Sequence, residues 1–78
     1  MPLFFFDTDD GRLPLRDEEG CELPDLQASR RIALEALTEM AADPLPEAEG
    51  RRCTVAVRDS AGRTIYRARV ELTGEWLT

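Results

Sequence analysis

Any chemistry in this chain has to be done with Arg, carboxylates and two thiols. All ten basic side chains are Arg, and Lys, His and Asn do not occur. Without His, the Ser-His-Asp and Cys-His nucleophile pairs and a His metal site cannot be built. Without Lys there is no Schiff base and no phosphate-binding P-loop. Without Asn there is no N-glycosylation acceptor. Paired carboxylates remain as a general acid and base, but they need a pocket that separates their pKa values. A chain of 78 residues has little interior with which to enclose one. The residue types therefore predict no enzyme, no cofactor and no metal.

Three groups still deserve a functional reading. Asp7-Thr8-Asp9-Asp10-Gly11 resembles the start of a calcium loop, which needs Gly at its sixth position. Counted from Asp7, Gly11 falls fifth and Arg12 sixth, so the segment reads as a hairpin turn. Asp17, Glu18, Glu19 and Glu22, with Asp25 behind them, gather acids ahead of a helix. Structurally they are a polar loop and an N-cap near the positive helix end. Functionally they form a candidate docking loop for a basic protein, a better fit than a metal site. Arg58 on one strand and Arg67 and Arg69 on the next each alternate with the apolar residues of their strand and make a candidate contact patch, because guanidinium holds carboxylate or phosphate bidentately. Their bland reading is a solvated set paired with Glu71 and nearby acids.

Cys21 and Cys53 lie in different segments and are expected as free thiols. Acids around Cys21 raise a thiol pKa and blunt its reactivity, and Cys53 reads as a buried strand residue. The first apolar run, Pro2 to Phe6, is too short for a signal sequence or a membrane span. Together these features predict a cytoplasmic protein that does not bind membranes.

The net charge of −6 argues against a nucleic-acid partner, which calls for a basic footprint. The charge is uneven: residues 1–25 carry eight acids against two Arg, and residues 51–78 carry six Arg against three acids. The two ends can pair within the fold or between copies.

The elements that must position these groups follow from periodicity. Leu3-Phe4-Phe5-Phe6 reads as a strand with both faces apolar. Asp9-Asp10-Gly11 is a turn. Residues 12–16 alternate, with Leu13 and Leu15 inward and Pro14 confining the strand to an edge. Pro24-Asp25 opens a helix over 26–42 that Asp25 caps. Leu26, Ala33, Leu37 and Met40 fall on one line of it, Ile32 and Leu34 flank that line, and Leu34 is left for partial exposure or a partner. Asp43-Pro44-Leu45-Pro46 stops the helix, and 47–51 is a linker. Cys53 to Arg58 and Arg63 to Leu72 alternate as a hairpin around Asp59-Ser60-Ala61-Gly62.

The order β-β-α-β-β predicts one two-layer α+β domain over residues 1–78, with a four-stranded antiparallel sheet in the order 2-1-3-4 and the helix on one face. The other face is left uncovered. We place Phe4 and Phe6 there, beside Arg58, Arg67 and Arg69.

F-F-F-D at 4–7, D-x-E-G-x-E-L-P-D at 17–25, the Ala-rich helix and V-x-V-R-D-x-x-G-R at 55–63 occur together. In this the chain resembles a family of short bacterial proteins, common in α-proteobacteria and known only as a domain of unknown function. The resemblance covers nearly the whole chain, most specifically at Gly20 and Glu22-Leu23-Pro24-Asp25. It implies a cytosolic bacterial origin and a single small domain. It implies no activity and brings no functional residues. A looser resemblance links the chain to small two-layer antitoxin domains.

From the doubly apolar first strand and the wide apolar arc of the helix, we expect a non-enzymatic interaction or regulatory module that forms a homodimer. The alternative is an acidic, antitoxin-like inhibitor that binds a basic site on another macromolecule.

Overall fold

The computed structural model describes residues 1–42 and 50–78. The chain runs β1 (Leu3–Asp9), β2 (Pro14–Leu15), β3 (Cys21–Glu22), α1 (Leu26–Ala42), β4 (Gly50–Arg58) and β5 (Thr64–Thr73). This is an α+β fold, with a single helix on an antiparallel sheet among the described residues. The path through the sheet is β2-β1-β4-β5, and β3 pairs with β1 off that path. The expected four-strand path is kept, and the difference is a fifth, two-residue strand, Cys21–Glu22, in the segment expected as a loop. The residues proposed to stop the helix, Asp43 to Pro46, and most of the proposed linker lie outside the described residues. The last two linker residues, Gly50 and Arg51, open β4.

Helix α1 occupies the expected span. The Ala28 N–H donates to the Asp25 carboxylate at 2.9 Å, which satisfies one of the free amides of the first turn. Its buried residues are Ala28, Ser29, Ala33 and Leu37. Small residues at 28, 29 and 33 let the helix approach the sheet closely, and the Ser29 hydroxyl donates to the Leu26 carbonyl at 2.7 Å. Leu26, expected on the core line, is 63% exposed, because it lies ahead of the buried stripe, which runs from Ala28 and Ser29 to Ala33 and Leu37.

On the sheet, Phe4, Cys53, Val55 and Val57 are buried beneath the helix, with Phe6, Tyr66 and Ala68 packed at the margin. This corrects the facing of β1. Phe4 and Phe6 look toward the helix, so Leu3 and Phe5 occupy the open face. Phe5 shares its parity with Asp7 and Asp9, which prefer water, whereas Phe4 and Phe6 line up with the buried β4 positions. Leu13 and Leu15, expected inward, are both mostly exposed. They flank a recess of about 270 Å³ shared with Ala36 and Met40 on the helix, and β2 is too short to carry them beneath it.

Candidate functional site

The open sheet face holds the three Arg residues singled out from sequence. The register sets Phe5 opposite Arg58, Asp7 opposite Ala56 and Asp9 opposite Thr54. It sets Ala56 opposite Arg67 and Thr54 opposite Arg69. Arg58, Arg67 and Arg69 do therefore share a face, but their situations differ.

Arg58 is engaged inside the chain. Its Nε donates to Asp7 Oδ2 at 2.6 Å and its Nη2 to Asp7 Oδ1 at 3.1 Å. The same Nη2 donates to the Asp17 carbonyl at 2.8 Å. Its guanidinium carbon lies 5.0 Å from the centre of the Phe5 ring, within cation–π range. Only 11% of its side chain is exposed. The hydrogen bond from Arg58 is the main cause that holds the Asp7 carboxyl below the ordinary carboxylate range, and the same bond raises Arg58. Arg58 is therefore a clamp across β1 and β4, not the free contact residue expected.

Asp17 is the second joint. Between β2 and β3, the five residues 16–20 lie against the three residues 5–7 of β1, as the pairs Thr8–Leu15 and Phe4–Cys21 show. That excess leaves the Phe6 N–H without a main-chain partner. It donates instead to Asp17 Oδ2 at 3.0 Å, while Glu19 and Gly20 donate to Oδ1 at 3.0 and 3.1 Å. These amides, with Phe6 the leading contributor, hold the Asp17 carboxyl below its ordinary value. Gly20 completes the joint. Its φ is +78°, and a Cβ there would meet Phe5 at 2.9 Å and Leu3 at 3.1 Å. Only Gly fits that conformation and that space.

The proposed acidic docking loop therefore divides. Asp17 is spent on the main chain, whereas Glu18, Glu19 and Glu22 are exposed. The suspected calcium segment is a turn: Asp9 accepts from Gly11, and Asp10 from Arg12 and Leu13. Leu13 leads the groups that lower Asp10. The second hairpin is tied in the same way. Asp59 accepts from the Ala61 and Arg63 amides, and that of Arg63 chiefly lowers its pKa. Among the described residues, no group of His, Cys, Asp and Glu is arranged to hold a metal. Both cysteines are free, Cys21 exposed and Cys53 buried.

The residues behind the resemblance thus coincide with the joints of the fold: Asp7, Asp17, Gly20, Asp25, Arg58 and Asp59. Residues 3–71 match the model of a family described as a domain of unknown function, DUF6894. The chain belongs to that family. No curated protein and no solved structure matches the chain. Within this DUF6894 domain, the groups left for outside contact are different ones. Arg67 and Arg69 stand exposed on β5, where Arg69 lies 3.7 Å from Glu71, itself 3.1 Å from Arg52. Leu34, half-buried, sits on the outer helix face among Gln27, Arg30, Arg31 and Glu35. Val70 and Leu72, not among the residues predicted for contact, are 36% and 60% exposed, and Trp76 and Leu77 in the tail are exposed as well. Strand alternation already set Val70 and Leu72 apart from the charged parity. Alternation alone gives no measure of how much of β5 the helix covers.

Proposed function

We propose that this domain is a non-enzymatic, cytoplasmic interaction module that works as a homodimer, with β5 as its contact element. The observation that carries the reading is the state of β5. It is ten residues long, it pairs with β4 alone among the described residues, and it exposes Val70 and Leu72. A long unprotected edge beside apolar side chains favours pairing with another chain. A domain of this size also gains stability by burying surface against a copy of itself. The use of Asp7, Asp10, Asp17 and Asp59 on main-chain amides and Arg58 supports a structural role for these carboxylates rather than a catalytic one. No helix among the described residues is long and apolar enough to cross a membrane.

Sedimentation velocity across the micromolar range tests the reading. A species of twice 8.8 kDa is expected, and a monomer throughout overturns it.

The inhibitor reading keeps one observation in its favour: Glu18, Glu19 and Glu22 are presented around the fixed Asp17. If it holds, a basic nuclease captured from lysate by the wild-type domain is lost when all three become Gln.

A further inference from the structure

The interface rests on the homodimer reading above, and the direction of the β5 main chain narrows it. The Phe6 N–H points to Asp17, away from β4. In an antiparallel ladder the N–H and C=O of one residue point to the same side and alternate along the strand. Asp7 and Ala56 therefore face each other, so Val55 turns toward β5 and its partner Ala68. Continuing the alternation, Tyr66, Ala68 and Val70 bond toward β4. The main-chain groups of Arg67, Arg69 and Glu71 point away from β4, along an edge that no other described strand pairs.

A second copy can add to that edge about a two-fold axis only if outward residues meet outward residues. An axis at Arg69 pairs Arg67 with Glu71 twice but sets Arg69 against itself at the centre and leaves Leu72 outside the Ala68–Val70 contact. An axis at Glu71 sets Glu71 against itself. An axis at Ala68 brings Arg67 against Arg69 twice. An axis at Val70 sets Arg69 of each copy opposite Glu71 of the other on the open face. On the helix side it sets Val70 against Val70 and Ala68 against Leu72, which covers the exposed apolar residues of the strand.

We infer that two copies join their β5 strands antiparallel, centred on Val70, into one continuous sheet held by reciprocal Arg69–Glu71 pairs. The arrangement uses charge complementarity, main-chain direction and the exposed apolar positions together. It also leaves the Arg58 clamp and the acidic loop outside the contact.

A charge-swap mixing experiment tests the register, read by sedimentation alongside the wild-type mass. Arg69→Glu alone and Glu71→Arg alone each create two like-charge pairs in a homodimer, and each should dimerise at least about tenfold more weakly than wild type. An equimolar mixture of the two variants restores both opposite-charge pairs and should return to the dimer mass. If the wild type dimerises and the single variants do so equally well, the β5 register is overturned while the homodimer stands. If the mixture stays monomeric with both variants folded by circular dichroism, the register is also overturned. A wild-type monomer removes the homodimer reading itself.

Discussion

The two edges of the sheet are built on opposite principles. At the β1 edge every outward main-chain position is occupied: Phe4 faces Cys21, Phe6 donates to the Asp17 carboxylate, and Thr8 faces Leu15. The pieces that cover it are two residues each, and one contains Pro14, so that edge cannot template another strand. The β5 edge is a single ten-residue strand without Pro or Gly. Its charged residues, Arg67, Arg69 and Glu71, alternate with Ala68 and Val70. One edge is closed by two short strands and the Asp17 carboxylate; the other pairs with β4 alone among the described residues. The contrast shows that edge protection here comes from particular polar residues and not from the amount of strand.

Breaking the closed edge should cost the most. Asp17→Ala removes the acceptor of three amides and leaves the Phe6 N–H unsatisfied. A loss of about 2–3 kcal/mol in urea unfolding is expected. Gly20→Ala forces a Cβ into a left-handed backbone and against Phe5, with an expected loss of about 1–2 kcal/mol. The same edge should respond to acid. The Asp7 and Asp17 carboxyls sit below the ordinary carboxylate value of 3.8, so their contribution is complete above that pH. It is lost as the pH falls from there through their folded values. Thermal melts from pH 6 to pH 2 should show a plateau and then a decline, shallower in Asp17→Ala than in wild type. The open edge should behave otherwise. Arg69→Gln should leave the stability of the monomer within about 0.5 kcal/mol while weakening self-association, which sharpens the division between a structural edge and a contact edge.

The sequence made some of this legible and concealed the rest for definable reasons. The helix followed from Asp25 and its apolar line, and the β4–β5 hairpin from alternation around Asp59 to Gly62, because these signals are local. The facing of β1 did not, since Leu3 to Phe6 is apolar on both sides; Asp7 beside Arg58 decides it, and that contact spans distant segments. β3 stayed hidden because two residues inside an acidic loop carry no periodicity. Its pairing depends on a carboxylate replacing a main-chain partner. The Arg residues looked equivalent in sequence, yet Arg58 is held inside and Arg67 and Arg69 are outside, because only Arg58 lies next to β1.

Amide hydrogen exchange at low and high protein concentration tests the central claim most directly. The account predicts that the Arg69 and Glu71 amides exchange quickly in the monomer and slow as the dimer forms. The Phe6 amide should be protected at both concentrations. Equally fast exchange at Arg69 and Glu71 in a sample whose mass is dimeric would contradict the claim.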